Sequence, residues 1–229
     1  MFSDTENLSS FERGHAFADL RDAKIGAESC KNCPLWKRAT QTVFGEGPVP
    51  APLMLVGEQP GDQEDLSGRP FVGPAGKLLD SALERAGLDR TLAYVTNAVK
   101  HFKWEPLGNR RLHKKPTARE IAACRPWLLS ELALVRPRVV VSLGATATTS
   151  LLGKDFRVIA NRGQFFESEH ARHILVTVHP SAILRSQDVE TRKLEFEGFV
   201  EDLRKVTKLL RHRAQTDSQA MQMTDGAQG

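Results

Sequence analysis

The chain has 229 residues, enough for one sizeable α/β domain with a buried core. Hydrophobic residues at 40% and charged residues at 26% place it among globular proteins, and no apolar run approaches the roughly 20 residues a membrane helix needs. The net charge is only +4, but residues 100–119 hold seven Lys or Arg against one acid, Glu105, more than the whole formal excess.

The first 25 or so residues are polar, with a short helix expected near 11–21. The opening "MFSDTENLSS" lacks the basic-then-apolar pattern of an export signal. Three cysteines without such a signal predict a reducing cytoplasm and no disulfide framework. Cys30 and Cys33 form C-x-x-C, which leaves metal ligation or redox chemistry as their special roles.

Four apolar runs follow: "LMLVGE" (53–58), "AYVTNAV" (93–99), "RVVVSLG" (138–144) and "HILVTVHP" (173–180). Each is apolar on both faces, as strands of a parallel sheet covered by helices are. Leu78, Leu79, Leu83 and Ala86 share one helical face after the first run. Thr117 and Glu120 read as a capping box opening a helix before the third. A further helix begins at "ATATTSLLG", and a last one is expected over 190–212. The alternation predicts a three-layer α/β/α domain with a central four-stranded parallel sheet over residues 29–212. A polar extension (1–28) would precede it and a disordered tail (213–229) would follow.

Ligands of such sheets bind beyond the carboxyl ends of the strands. There lie "GEQPGDQED", "NAVKHFKW", "GATATT" and "HPSAILR". The stretch "GNRRLHKKP" (108–116), closed by proline, reads as a loop that packs Arg110, Arg111, Lys114 and Lys115 around His113. Such clustering is the footprint of a polyanion site, nucleic acid first among candidates, with a solvated charged loop as the plainer alternative. Glu58, Asp62, Glu64 and Asp65 supply carboxylates in a glycine-rich segment that also places Phe71 before a Gly-Pro turn. This segment matches neither the dinucleotide fingerprint nor a P-loop, and its acids would repel phosphate. Asn97 offers a donor and an acceptor that match a pyrimidine edge, although a lone Asn more often satisfies turn backbone. His179 follows the fourth strand in "HPS", where Ser181 caps the next segment or binds phosphate.

Taken in order, "GEQPGDQEDLSGRPFVGPAGKLLD", "YVTNAVKHFKW", "RRLHKKP", "REIAACRPWL", "VSLGATA" and "TVHPSAILR" resemble the uracil-DNA glycosylase superfamily on its family-four side, over roughly residues 30–210. The "RRLHKKP" piece resembles the UdgX branch, with Asn109 and Leu112 where that loop usually has Lys and Ile. The resemblance implies a DNA repair protein that flips uracil out of DNA and cleaves its N-glycosidic bond. Phe71 would stack on the base, Asn97 would read its edge, and a neutral His179 would stabilise charge on the uracil oxygen. Glu58, Gln59 and Asp62 would stabilise the sugar cation, orient water or polarise His113. In the UdgX branch the loop histidine captures the sugar, so His113 would become bonded to the deoxyribose C1′. Arg110, Arg111, Lys114, Lys115, Ser181 and Arg185 would hold DNA. Conventional turnover and non-catalytic uracil-DNA binding are the alternatives.

Family-four relatives hold a [4Fe–4S] cluster with four cysteines. Here Cys30, Cys33 and Cys124 remain, and Ser142 stands at the strand end matched to the fourth, so Ser142 is expected as ligand or near neighbour. A three-thiolate zinc site and a bare C-x-x-C are the alternatives. A monomer is expected that acts on uracil-containing DNA, preferably single-stranded, and binds no membrane.

Overall fold

The structure is a computed structural model that describes residues 17–225, with side chains to residue 212. The helix expected near 11–21 lies mostly outside the described residues. Within them the first helix, α1, is Leu20–Glu28, opened by Asp19, whose carboxylate accepts from the Asp22 N–H.

The four apolar runs become β1 (Leu53–Gly57), β2 (Ala93–Asn97), β5 (Val139–Leu143) and β7 (Ala171–Thr177). They pair in the order β2-β1-β5-β7, all parallel. The sheet nevertheless has five strands. β6 (Phe165–Ser168) pairs antiparallel with β7 at the edge, so the sheet is mixed and the four-stranded parallel expectation is corrected. β6 is short and half-buried, and it turns into β7 through Glu169–His170, a pair without the Gly or Asn that marks a two-residue hairpin.

The pleat sends alternate residues into two cores. Leu53, Leu55, Val141 and Leu143 meet Leu79 and Leu83 of α3 (Pro74–Ala86) and Phe199 and Leu203 of the last helix, α8 (Val189–Asp225). Met54, Val56, Val140 and Ile174 meet Leu128 and Leu132 of α4 (Ala118–Val135) and Ala147 and Leu151 of α5 (Ala145–Leu152). Three layers result. The Thr117–Glu120 box opens α4 as expected, with the Thr117 N–H donating to Glu120 at 2.6 Å and the Glu120 N–H to Thr117 at 3.3 Å. Ala23 and Ala27 of α1 join Trp127 of α4 in a third cluster.

α8 continues to Asp225, past the end expected at 212 and into the segment expected to be disordered. That segment lacks apolar periodicity, but from 213 to 225 it contains no Gly or Pro to stop a helix. No helix among the described residues is long and apolar enough to cross a membrane.

Candidate active site

The carboxyl ends of β1, β2 and β7 meet in a tight slot. Phe71 is buried there at φ 57, a left-handed conformation that a bulky residue adopts only when its surroundings impose it. Two glycines make room for it. A Cβ on Gly76 would sit 1.7 Å from the Phe71 carbonyl oxygen, and one on Gly57 would sit 2.6 Å from the Phe71 ring and 2.3 Å from Asn97 Oδ1. Asn97 is 1% exposed, and its Nδ2 has no hydrogen-bond partner. A buried amide left unpaired costs about 1–3 kcal/mol; the Glu64 carboxylate lies near this one without forming a full hydrogen bond, so the slot can still take an acceptor. Glu64 of α2 (Asp62–Ser67) borders the same slot through the backbone of Gly61, Phe71 and Gly73 and through the Asn97 side chain, and burial pushes its carboxyl above the usual range against the pull of those contacts. Sequence reasoning gave Glu64 no role of its own.

His179 closes the slot, its ring centroid 6.0 Å from that of Phe71. It caps the short helix α7 (Pro180–Leu184), and its Nδ1 accepts from the Ser181 backbone N–H at 3.2 Å. The proton of the neutral ring therefore sits on Nε2, which is left to donate. Burial, aided by the positive charge of Arg185 and then of His113, lowers the His179 pKa to about 4, so the ring is neutral at pH 7. Ser181 Oγ lies 2.8 Å from Nδ1 and accepts from Arg185 at 3.1 Å. Ser181 and Arg185 thus engage each other and His179.

The stretch around His113 is not a loop. β3 (Trp104–Leu107) and β4 (Arg110–His113) form an antiparallel hairpin in which His113 pairs with Trp104. Gly108, at φ 56, opens the two-residue turn Gly108–Asn109, and this Gly-Asn pair was the available hairpin signal. Arg111 does not face outward as a phosphate clamp. It donates to Asp62 at 2.5 Å and to Asp65 at 2.5 Å, and it lies over the rings of Phe102 and Trp104 at 5.4 and 5.6 Å. Asp62 is accordingly occupied with Arg111. Lys114 pairs with Glu105 at 2.9 Å. Arg110 and Lys115 make no ion pair among the described residues and remain available to an outside anion. Much of the charge that the basic stretch needs is supplied by the protein itself.

So fastened, the hairpin brings His113 Nε2 to 2.8 Å from Gln59 Nε2 and 3.5 Å from Glu58 Oε1. The Gln59 amide cannot be turned over. Its oxygen accepts from the Lys103 N–H at 3.1 Å and its nitrogen donates to the Lys114 carbonyl at 3.0 Å. It must therefore donate to His113 Nε2, which keeps the lone pair on that nitrogen. Burial lowers the His113 pKa below the usual histidine value; Glu58 opposes this and Arg185 adds to it. Glu58 is itself held by Thr146 Oγ1 at 2.5 Å, a partner that sequence reasoning missed.

Cys30, Cys33 and Cys124 fall in one cluster, lined by Ala27, Leu35, Phe44, Val99 and Trp127. Trp127 donates to Cys30 Sγ at 3.3 Å, and the Lys100 N–H donates to Cys124 Sγ at 3.2 Å. Burial raises the Cys124 thiol to about 12, with Cys33 and Cys30 adding to the shift. The donor set suits a soft metal centre. Among the described residues, however, no group of three or more His, Cys, Asp or Glu is drawn close enough to hold a metal ion. Ser142 lies inside β5, two strands or roughly 10 Å across the sheet from β2, and its hydroxyl pairs with Thr148 at 2.7 Å. His101 follows Lys100, whose N–H reaches Cys124, and is buried 2.9 Å from Thr42, whose hydroxyl reaches Ala27 O at 3.2 Å. Next to it in the chain, the buried Lys100 ammonium donates to Glu131 at 2.5 Å, Thr96 at 2.6 Å and the Asn97 carbonyl at 2.7 Å. The cysteine region and the slot thereby share a floor.

Comparison with known proteins agrees with this geometry. A type-4 uracil-DNA glycosylase of Thermotoga maritima is 38% identical over 173 residues, covering 75% of this chain and 86% of its own. One of Sulfurisphaera tokodaii is 39% identical over 188 residues (79% and 81%), and a type-5 uracil-DNA glycosylase of Thermus thermophilus is 33% identical over 196 residues (77% and 82%). The family described as "Uracil DNA glycosylase superfamily" matches residues 44–204, which spans every strand of the sheet, the slot and the hairpin, and the chain belongs to that superfamily.

Proposed function

We propose that this protein excises uracil from DNA and that His113 then captures the sugar, leaving the protein covalently attached at C1′. The observation that carries the excision reading is the unpaired amide of Asn97, buried against Phe71 and facing the slot that His179 closes. A flipped uracil stacks on Phe71 and offers a carbonyl to Asn97 Nδ2. Cytosine presents an amino group at that position and would leave two donors facing each other.

As the C1′–N1 bond breaks, its electron pair leaves with the base, and His179 Nε2–H donates to the developing charge on the uracil oxygen. A neutral histidine can do this without first losing charge to solvent. Glu58, fixed by Thr146, stabilises the positive sugar. His113 Nε2, kept unprotonated by Gln59, then supplies its lone pair to C1′. The alkylated ring releases its Nδ1 proton to solvent, and the uracil anion takes one up. Arg110 and Lys115 lie along the DNA backbone, and single-stranded DNA is the preferred partner because no base pair must be opened. Hydrolytic turnover is the second reading, favoured by the type-4 relatives.

Cys30, Cys33 and Cys124 would hold the [4Fe–4S] cluster that the family resemblance implies, with the His101 imidazole rather than Ser142 as the fourth ligand. Bound there, the cluster ties the N-terminal segment to α4 and has no part in bond cleavage. Iron content and visible absorbance should survive Ser142→Ala and fall in His101→Ala; the reverse pattern restores Ser142.

The deciding experiment mixes the protein with a uracil-containing single-stranded oligonucleotide and separates the products under denaturing conditions. A retarded protein–DNA band is expected, absent in His113→Ala although uracil is still released. Free uracil in large excess over protein, with no such band, selects hydrolytic turnover.

A further inference from the structure

A cavity of about 350 Å³ opens beside the active site, and nothing above uses it. Thr146 lines it, and the same Thr146 hydroxyl holds Glu58. Lys115 lines it from the other side, two residues beyond His113. The cavity is therefore adjacent to the position a deoxyribose would take.

Its walls combine two chemistries. Phe156 is half-buried and braced edge-on by Phe166 at 5.0 Å, which makes it a fixed apolar face. Ile159, in the short helix α6 (Val158–Asn161), is 91% exposed, the most exposed large hydrophobic side chain among the described residues. Lys115 and Arg157 are the charged residues of the lining, both cationic and both without an ion pair among the described residues. No carboxylate lines the cavity. An aromatic wall with paired cations and no acid fits a flat base joined to a phosphate, and the volume lies within the usual range of small-ligand sites.

We propose that this cavity receives the nucleotide adjoining the uracil on the same strand, with its base against Phe156 and Ile159 and its phosphate between Lys115 and Arg157. The inference rests on the uracil-DNA reading and adds a second base-binding position to it. It also supplies a reason for single-strand preference, since a paired neighbour would have to leave its own stack to enter.

The test is equilibrium binding of single-stranded oligonucleotides carrying 2′-fluoro-2′-deoxyuridine, whose glycosidic bond resists cleavage, read by fluorescence anisotropy. A tetrahydrofuran abasic residue is placed immediately 5′ or immediately 3′ of the uracil. On one side only, it should weaken binding by roughly tenfold, as loss of one stacked base does. In the double variant Phe156→Ala, Ile159→Ala that penalty should vanish, while the intact oligonucleotide binds as weakly as the abasic one. Equal binding of all three oligonucleotides by the unaltered protein, or a penalty of the same size in the double variant, overturns the proposal. Replacing the 2′-fluoro-2′-deoxyuridine by 2′-fluoro-2′-deoxycytidine checks the underlying reading separately: if that change leaves binding unaltered, the uracil slot fails, whatever the abasic series shows.

Discussion

The side-chain amide of Gln59 donates to His113 Nε2 at 2.8 Å, and the backbone of Lys103 and Lys114 decides which way that amide points. The hairpin that carries the histidine thus also sets its tautomer. Gln59→Ala should slow covalent capture on the order of 100-fold while uracil release in a single turnover is largely kept. Equal losses in both would show that Gln59 serves the site as a whole.

Arg111 joins the hairpin to the α2 segment through Asp62 and Asp65, and the Asp65 side chain is fully buried. Arg111→Ala leaves that carboxylate without its partner, a loss of about 3–5 kcal/mol for a broken buried pair. The melting temperature should fall, and amide exchange should rise across residues 104–113. Arg111→Lys should recover only part of both, because one ammonium cannot reproduce a guanidinium fork spanning two carboxylates. Unchanged exchange in the hairpin would return Arg111 to the role of phosphate contact.

Lys100 and Glu131 form an ion pair almost wholly removed from water beneath Asn97. Lys100→Met should destabilise the fold by about 3–5 kcal/mol by leaving the buried Glu131 carboxylate without its counter-charge. Adding Glu131→Leu should recover much of that loss. The double variant should still discriminate poorly between uracil and cytosine, since the Asn97 backbone carbonyl has lost its donor; single-turnover excision rates on the two bases measure this. Full discrimination in the refolded double variant would make the pair purely structural.

His179 ties stability to pH. Its folded pKa of about 4 lies below the ordinary histidine value of 6.5. Between those values the unfolded chain binds more protons, so its contribution is complete above pH 6.5 and is lost as pH falls toward 4. From pH 7 to pH 5 the loss is about 2 kcal/mol. His179→Gln should therefore have a flatter stability–pH curve in chemical denaturation, and a slope as steep as that of the unaltered protein would place the titration elsewhere. The lowered pKa of His113 has a kinetic consequence. Covalent capture should be retained at pH 6.5 and be lost at more acid pH, where the ring protonates and its lone pair disappears.

Where a segment is buried on both faces, its sequence predicts its structure well. The four central strands and α4 were legible because continuous apolar runs and a capping box are local statements. β6 was not, because an edge strand needs only half a hydrophobic face and its turn carried no glycine. The β3–β4 hairpin was missed for a different reason: its Gly-Asn turn was visible, but the flanking glycine and proline and the four cations drew the reading toward a polyanion-binding loop. Ser142 was assigned by alignment with a family pattern, whereas the structure pairs its hydroxyl with Thr148.

By itself, the sequence determined which groups exist at the ends of the strands: an aromatic ring, an amide, carboxylates, two histidines and a cationic stretch. Residue type fixes chemical capacity, and strand periodicity fixes which edge of the sheet receives it. Only the tertiary structure decided how those groups are spent. Arg111 went to Asp62 and Asp65, Gln59 to His113 and Thr146 to Glu58, while Asn97 was left unpaired. The choice among partners depends on distances between segments far apart in the chain, and a hydrogen bond or ion pair is made or lost within about an ångström.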